Sequence, residues 1–464
     1  MAEDDVTTTD EGGSGLSRRE LLRRAGVGAA AAGIAGSGAG KAFAFAGPHK
    51  FTHRQLSGDL SILQWVHFVP DYDVWFDKYA KSWGEKNDVQ VTVDHINNTQ
   101  LVPRATAEVA AQSGHDMMQF LSPPASFEDQ VISHNNIVKE ITRKVGKMND
   151  LAYKSTYNPR TKKYFGVSDC YVPDPVVWRH DLWSGVGQAP TTWERVRLAA
   201  PKLKAAGHPI GIGMSNELDS NMANIAFLMC YGGFIQNADQ RVTLKSKGTI
   251  EALKVMADIY QRGETDEIFG WNPASNNQFV YSGKGSMILN AISATRTPED
   301  LHLPFVDNLW IWPIPKGPFG RLGLEHVMGV YVIWKFAKNK PAAQKFIADL
   351  VINYKQATNA SKLYNFPSWP GAYPFKQIYK AAAADPHKPK GKYTVLTTIA
   401  EKYTHNVGYP GFSNAAINEI FTTYLIPQMF AQVSQGKLSA KDSVRDTMSV
   451  VKNIYAKWRK RGKI

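Results

Sequence analysis

The sequence is poor in several features that would assign it a chemistry. It has only two cysteines, and its twelve histidines are scattered along the chain. It contains no HExxH pattern and no cysteine cluster, so nothing in it has the spacing of a metal site. The stretch "SGKGS" at 282–286 lacks the spacing of a phosphate-binding loop. We therefore predict no cofactor and no metal ion.

The two cysteines, Cys170 and Cys230, leave two alternatives open. Both lie in apolar stretches, which favours buried thiols. An oxidising compartment would also permit a disulfide between them. Sequence alone does not place two cysteines within bonding distance, so neither alternative is excluded at this point.

Long apolar runs are also scarce, and the one candidate lies near the start, in "LSRRELLRRAGVGAAAAGIAGSGAGKAFAFAG" at 16–47. Paired Arg18 and Arg19 precede an uncharged Ala/Gly-rich stretch that ends in Ala-x-Ala sites. This order resembles a twin-arginine signal peptide, which we assign to residues 1–46, with cleavage after Ala44 or Ala46. The stretch is too short and glycine-rich for a membrane anchor.

No cysteine follows the signal, so we expect a released protein rather than a lipid-anchored one. The predicted location is the periplasm or the extracellular face of the cytoplasmic membrane, reached by the twin-arginine route. The chain carries a formal charge of +13, but export argues against a nucleic-acid partner. We interpret the basic C-terminus "KWRKRGKI" as a solvated helix end.

The first half alternates strand-like and helix-like segments. "LSILQWVHFV", "VQVTVDHI" and "DMMQFL" are apolar and predict strands. "YDVWFDKYAKSWGEKN" and "QLVPRATAEVAAQSG" lie between them with helical spacing. This βαβαβ pattern predicts a doubly wound, mostly parallel sheet with helices on both faces. The helical aromatic stripe Trp75, Tyr79 and Trp83 is predicted to pack into the core.

The second half repeats the same class. "PTTWERVRLAAPKLKAAG" predicts a helix, further helices are predicted at 218–231 and 248–262, and "GKGSMILNAI" predicts a strand. The segment 309–351 then reads as strand, Pro/Gly-rich crossing, strand and helix. The pattern indicates a chain that leaves one lobe, forms a second and then returns to the first. We therefore predict a hinge between two lobes, with a cleft beside it.

Five segments, in this order, resemble a known family. They are "AAQSGHDMMQF", "PTTWERVRLAAPKLKAAGHPIGIG", "FVYSGKGSMILNAIS", "WPIPKGPFGRLGLEHVMGVYVIWKFAKNKPAAQKFI" and "IPQMFAQVSQGKLSAKDSVRDTMSVVKNI". Together they are similar to the extracellular solute-binding proteins of ATP-binding-cassette (ABC) importers, in particular the carbohydrate-binding group that resembles maltose-binding protein. The resemblance extends over nearly all of the chain beyond residue 46.

The resemblance implies a two-lobed periplasmic-binding-protein fold of type II, each lobe a mostly parallel sheet flanked by helices. It places lobe I at 58–170 plus 324–366, and lobe II at 171–323 plus 367–464. It implies a monomeric binding protein, not an enzyme. That protein would capture a sugar or polyol by hinge closure and deliver it to permease subunits in the membrane.

Sugar binding needs aromatic faces for the rings and polar side chains for the hydroxyls. Open α/β sheets place such groups after the carboxyl ends of strands and at crossings. The ligand-binding candidates chosen on this basis are Trp65, Phe68, Asp71, Ser122, Tyr171, Asp174, Trp271, Asn290, Glu325, His326 and Trp369.

Three alternatives remain. A secreted carbohydrate-active enzyme would need a positioned pair of carboxylates, for which Asp169/Asp174 and Glu299/Asp300 are the nearest candidates. Alternatively, the protein would have the same fold but, with its ligand bound, would be the partner of a sensor rather than of a transporter. An anionic ligand such as a sugar acid or glycerol phosphodiester would need a cation in the cleft, and Arg296 is the arginine we would assign to it. The sequence does not name the sugar.

Overall fold

The computed structural model describes residues 56–464 of the chain. The predicted signal peptide, residues 1–46, lies outside the described residues. The strands of the described part are β1 Asp59–Trp65, β2 Gln90–Ile96, β3 Met117–Phe120, β4 Tyr157–Asn158, β5 Lys163–Tyr164, β6 Val167–Pro173, β7 Val176–Arg179, β8 Ile210–Gly211, β9 Met287–Leu289, β10 Leu309–Trp312, β11 Gly323–Ile333, β12 Phe366–Pro367 and β13 Thr404–His405.

The α-helices of the same part are α1 Pro70–Asn87, α2 Leu101–Ala111, α3 Asn135–Val145, α4 Asp150–Thr156, α5 His180–Gly185, α6 Trp193–Ala205, α7 Leu218–Cys230, α8 Lys247–Gly263, α9 Ser275–Tyr281, α10 Ser293–Asp300, α11 Lys340–Ile352, α12 Lys355–Ala360, α13 Phe375–Ala383, α14 Val395–Thr398, α15 Ala415–Thr422, α16 Leu425–Ser434 and α17 Ala440–Lys460. None of these helices is long and apolar enough to span a membrane.

The first of two main sheets has the strand order β12, β6, β11, β3, β1, β2, with β13 beside β11. β1 pairs in parallel with β2 and β3, as the βαβαβ pattern predicts. However, β11 is antiparallel to β3 and β6, and β12 is antiparallel to β6. The sheet is therefore mixed rather than mostly parallel, because β11 re-enters it in the opposite direction after the chain has built the second sheet.

The second sheet has the order β10, β7, β9, β8. β7 is antiparallel to both of its neighbours, and only β8 and β9 are parallel. The prediction of a mostly parallel second sheet is wrong in this respect. β7 comes directly from the first sheet, so the crossing rather than a helical crossover sets its direction. The α/β class, with two sheets flanked by helices, is confirmed.

Most of the predicted elements are present. Helices α7 and α8 occupy the segments predicted at 218–231 and 248–262, and β9 lies within the predicted strand "GKGSMILNAI". Helix α6 begins after Thr192, whose hydroxyl accepts the backbone N–H of Arg195, which is the expected role of a threonine at an N-cap. Helices α16 and α17 form the predicted C-terminal pair and pack against each other.

The aromatic stripe of α1 packs into the core, as predicted. Trp83 is buried, and Trp75 and Tyr79 are partly buried against the same apolar cluster. The rings of Tyr79 and Trp83 both meet Phe346 of α11 edge-on, with ring centroids 5.7 and 5.1 Å apart. These aromatic rings hold helices together and do not line a cleft.

Two crossings join the sheets close to each other. β6 ends at Pro173 and β7 begins at Val176, so only Asp174 and Pro175 separate them. The chain returns through residues 313–322 into β11, where Glu325 pairs with Pro173. This register brings His326 of β11 next to Asp174. The junction of the two sheets therefore carries polar side chains that the sequence analysis selected.

Candidate functional site

The centre of the candidate site is His326, which lies between two buried aspartates. Its Nδ1 is 3.3 Å from Asp174 Oδ1, and its Nε2 is 3.3 Å from Asp219 Oδ1. Asp174 belongs to the first crossing, His326 to the return strand β11, and Asp219 to the first turn of α7. Three separate segments thus converge on one charged group. We call Asp174, Asp219, His326 and Tyr364 the junction cluster.

Asp219 is held in place from two directions. The Glu217 carboxylate caps α7, accepting the backbone N–H of Asp219 at 2.7 Å and also that of Ser220. The amide of Asn276 donates to Asp219 Oδ2 at 2.6 Å. The neighbouring Asn277 accepts from the Asn290 amide at 2.5 Å. The segment 276–290 therefore supplies a layer of amides directly behind the junction cluster.

Tyr364, the fourth residue of the junction cluster, packs against a group of aromatic rings. The ring of Tyr364 lies edge-on to that of His67, with the centroids 4.9 Å apart. The His67 ring is in turn 4.5 Å from Tyr72 and 4.7 Å from Trp65. Burial lowers the pKa of His67 to about 3, so this histidine is neutral at physiological pH. It serves as a flat, uncharged neighbour of the cluster.

Several polar atoms of the cluster have no hydrogen-bond partner among the described residues. They are Asp174 Oδ1, Asp219 Oδ1, both ring nitrogens of His326 and the Tyr364 hydroxyl. The 3.3 Å contacts of His326 bring opposite charges together without the alignment of hydrogen bonds. Buried polar atoms of this kind destabilise a protein by about 1 to 3 kcal/mol each unless they are bonded. A group of them in one place is typical of a binding site.

The titration of the cluster reflects its crowded charges. Burial alone would lower the pKa of His326, but the charges of Asp219 and Asp174 outweigh it, and the pKa is raised. Burial raises the pKa of Asp219, and the charge of Asp174 raises it further. Burial and the charge of Asp219 also raise the pKa of Glu217. Burial is therefore the largest cause of the raised pKa of both carboxyl groups, and neighbouring negative charge adds to it.

Aromatic rings lie at two places near the junction cluster, namely Trp271 and, at the end of β1, Trp65 with Phe68. The Trp271 ring covers Gly211 and Gly213, so closely that a Cβ on Gly211 would lie 2.5 Å from the ring. The Ser215 hydroxyl donates to the backbone carbonyl of Trp271 at 2.7 Å. This fixes Trp271 beside the start of α7, close to Asp219. Trp65 and the half-buried Phe68 lie together at the end of β1, with ring centroids 5.4 Å apart.

The structure places five other candidates away from the cluster. Tyr171 donates its hydroxyl to the Ala400 carbonyl, and Trp369 donates its indole N–H to the Ser168 carbonyl. Glu325 accepts the Val407 N–H. Asp71 is exposed and pairs with Lys362 at 3.0 Å. Ser122 is half-buried after β3. A role for these five residues in binding stays a prediction.

Sequence reasoning missed two residues of the junction cluster, Asp219 and Tyr364, and four residues that support them, namely His67, Glu217, Asn276 and Asn277. The segment "SNELDS" reads as the cap of a helix, so its carboxylates were not distinguished from ordinary N-terminal acidic residues. In the segment "FGWNPASNNQ", only Trp271 was among the candidates chosen from the sequence. The adjacent Asn276 and Asn277 are the polar signal that would have pointed to the same place.

The charge of Arg296, the arginine considered for an anionic ligand, is balanced by carboxylates inside the protein. Its guanidinium donates to Glu299 at 3.0 Å and to the Lys362 carbonyl at 2.9 Å. It also lies 2.8 Å from Asp385 and covers the ring of Tyr393 at 3.7 Å. The charge of Arg296 is therefore committed to neighbouring carboxylates.

One member of each carboxylate pair considered for an enzyme, Asp169 and Glu299, has internal partners. Asp169 accepts from Gln119 and from Tyr354, within the first sheet and its helices. Glu299 accepts from Arg296 and from Tyr393. Within residues 56–464, no group of three or more histidine, cysteine, aspartate or glutamate side chains has the arrangement of a metal site.

Solved structures show which fold the chain has. A sugar transporter protein from Arthrobacter chlorophenolicus, solved with bound laminaribiose, superposes with a TM-score of 0.72 at 15% identity, covering 85% of this chain and 99% of that one. Maltose-bound MalE3 of T. maritima gives 0.70 at 17% identity, covering 86% and 100%. The GacH receptor of Streptomyces glaucescens gives 0.70 at 16% identity, covering 86% and 98%. The chain has the two-lobed fold of periplasmic binding proteins.

The family follows from the sequence itself. Residues 70–351 match the family model described as bacterial extracellular solute-binding protein, which is more than half of the chain. The protein belongs to this family. No curated protein matches its sequence.

Proposed function

We propose that this protein is the substrate-binding component of an ABC importer, which captures a sugar or related polyol between two lobes and delivers it to permease subunits. The observation that supports this most directly is the junction cluster. Five buried polar atoms of this cluster make no hydrogen bond within residues 56–464, and four of them are held only by the two 3.3 Å ion-pair contacts of His326. Carboxylate, imidazole and phenol groups are the groups that hydrogen-bond ligand hydroxyls.

The known relatives support a carbohydrate ligand. Among solved structures with this fold, one holds laminaribiose and another maltose. A third holds ribitol, which is a polyol. Their identity to this chain is 14 to 17%, so the particular ligand of this protein is not inherited from any of them.

The proposed lobes follow the two sheets except at four strands of the first sheet: the bounds divide β6, β11 and β12 and place β13 in the second lobe. Lobe I would be 58–170 plus 324–366, and lobe II 171–323 plus 367–464. The strands β1, β2 and β3 fall in the first, and β7, β8, β9 and β10 in the second. The crossings at Asp174 and before His326 would act as the hinge. Ligand would stabilise the closed state because both lobes then contact it.

The proposed location follows the family name and the N-terminal sequence. We propose export by the twin-arginine route and a monomeric protein that acts outside the cytoplasmic membrane. The enzyme alternative finds less support, because one carboxylate of each pair considered for it, Asp169 or Glu299, bonds to core residues. The sensor alternative would use the same ligand site and differ only in the partner.

The test is a ligand screen with the purified protein. Mono- and disaccharides, polyols and sugar phosphates would be added singly, while thermal unfolding and intrinsic tryptophan fluorescence are recorded. Trp65 and Trp271 lie beside the cluster, so ligand should change the emission. We expect at least one sugar or polyol to raise the melting temperature by mass action. If no solute of these classes changes either signal, the proposal fails.

A further inference from the structure

We infer that the preferred solute carries an amine or other cationic group, which Asp174 and Asp219 of the junction cluster accept. This rests on the proposed function and narrows it to a class of ligand. It is independent of the chain's overall composition, which is basic at +13. The surface would favour anions, whereas the site favours cations.

The inference starts from the charge balance of the site. Asp174 and Asp219 are 2% and 5% exposed, and Glu217 caps the helix that carries Asp219. His326 is the one cation in contact with these carboxylates among the described residues. With both aspartates ionised, one protonated imidazole balances only one of the two that flank it. A negative charge is left buried, which is unfavourable without a positive partner.

Cations on adjoining segments do not supply that partner. Arg296, six residues after Asn290, is bound to Glu299 and Asp385. Lys362, two residues before Tyr364, has its Nζ 3.0 Å from Asp71 and 2.9 Å from Asp300. Both side chains are therefore neutralised away from the cluster. Neither Arg296 nor Lys362 therefore supplies a positive charge to the junction cluster.

Tyr364 provides a second, independent observation that points to a ligand. Its side chain is fully buried, and its hydroxyl has no hydrogen-bond partner among residues 56–464. The charges of Asp219 and Asp174 act on this hydroxyl, and together with burial they raise its pKa well above the ordinary value. A phenol oxygen and two carboxylate oxygens are three acceptors, which matches the three donors of one ammonium group.

A neutral sugar would satisfy the hydrogen-bonding groups of the site but not its charge. Sugar hydroxyls can donate to Asp174 Oδ1 and Asp219 Oδ1, but they bring no charge to offset the excess. A protonated amine donates to the same atoms, and hydrogen bonds between ions are roughly twice as strong as neutral ones. Because the site is buried, added salt should weaken this preference only slightly.

The experiment compares sugars that differ only in the substituent at C2 of each ring. Each set would contain a sugar, its amino sugar and the N-acetylated form, which keeps the nitrogen but loses the charge. Glucose, glucosamine and N-acetylglucosamine form one set; galactose and its derivatives form a second; cellobiose, the chitosan disaccharide and its diacetyl form make a third. Affinities would be measured by titration calorimetry at a pH where the amine is protonated.

We expect the amino sugar of at least one set to bind ten-fold or more tightly than both of its uncharged partners. Asp219→Asn should reduce that preference to less than three-fold, and Asp174→Asn should do the same if the first variant does not fold. Asp446→Asn, on the exposed face of α17, is the control and should leave the preference unchanged.

The outcomes separate this inference from the proposed function. If a neutral or N-acetylated sugar binds as tightly as its amino partner or more tightly, the inference is overturned and the proposed function stands. The same holds if the preference survives both aspartate substitutions. If no sugar, amino sugar or polyol binds at all, the proposed function itself fails.

Discussion

The ring of Tyr364 meets the ring of His67 edge-on, at 72° and with 4.9 Å between the centroids. His67 follows β1, and Tyr364 follows α12, so the contact joins two distant segments of the chain. The next residue, Asn365, approaches His67 Nε2 through its side-chain oxygen at 3.4 Å. This arrangement fixes the position of the tyrosine ring.

The first prediction concerns the hydroxyl of this tyrosine. The Tyr364 hydroxyl has no hydrogen-bond partner among residues 56–464. Tyr364→Phe should therefore leave the free energy of unfolding within about 1 kcal/mol of the wild-type value, or raise it. The same substitution should weaken solute binding about five- to twenty-fold, since it removes one hydrogen bond to the ligand. Urea denaturation and ligand titration measure the two effects separately.

Tyr354→Phe is the matched control. The Tyr354 hydroxyl is equally buried but donates to Asp169 at 2.8 Å. This variant should lose about 1 to 2 kcal/mol of stability and keep its affinity for solute. If Tyr364→Phe were the more destabilised of the two, with unchanged affinity, the hydroxyl would have a structural role and no ligand to bind.

The second prediction concerns the C-terminus, which was interpreted from the sequence as a solvated helix end. Lys463 is instead 8% exposed, and its Nζ lies 2.6 Å from Asp129 and 3.5 Å from the buried Glu128. Lys463→Ala removes the cation next to Glu128, which keeps the donors of Asn158 and Thr161. The variant should lose about 1 to 3 kcal/mol in urea denaturation.

Lys460→Ala is the control for this effect. Lys460 is the last residue of α17, and it is exposed. Its removal should change stability by less than about 0.5 kcal/mol. Equal effects of the two substitutions would mean that net charge, rather than the contact with Glu128, accounts for the loss.

The sequence predicted the layout of the fold because the relevant signals are local. Apolar runs such as "LSILQWVHFV" and capped helices such as that after Thr192 encode their own structure. The directions of β7 and β11 were not predictable in the same way. They depend on how the chain crosses between sheets, and a crossing leaves no periodic signal in the residues before or after it.

The candidate site was predicted in part for a related reason. Asp174, Asn290 and His326 were found because they follow strands or lie at a crossing, where polar residues are unusual. Asp219 and Tyr364 were missed, because a helix N-terminus and a loop after a helix are ordinary places for such residues. Only the packing of α7 against β11 brings Asp219 to His326.

The third prediction resolves the alternatives left open for the cysteines. Cys170 and Cys230 are free and buried in the structure, and burial raises the pKa of both thiols. Neither should react with Ellman's reagent in the native protein, because the thiolate is the reactive form. Both should react after unfolding in guanidinium without a reductant. Absence of thiols in the unfolded protein would instead indicate a disulfide.

The last prediction is a pH dependence that arises at His134. Its Nε2 accepts the Ile333 N–H at 3.1 Å, and its Nδ1 lies 3.3 Å from the Tyr164 carbonyl, to which it donates. The neutral ring satisfies both groups, whereas a proton on Nε2 would face the Ile333 N–H. Burial lowers the pKa of His134 to about 4, although the bond to Tyr164 acts against it.

The unfolded chain binds this proton below about pH 6.5, and the folded protein does not bind it until about pH 4. The contribution of His134 is therefore fully present above pH 6.5 and is lost as the pH falls toward 4. Between pH 7 and pH 5, the wild-type protein should lose about 2 kcal/mol more stability than His134→Gln, which has no titrating ring. Other titrating groups are common to both proteins and cancel in this difference. Parallel stability curves for the two proteins in urea denaturation would show that His134 takes up its proton in the folded state.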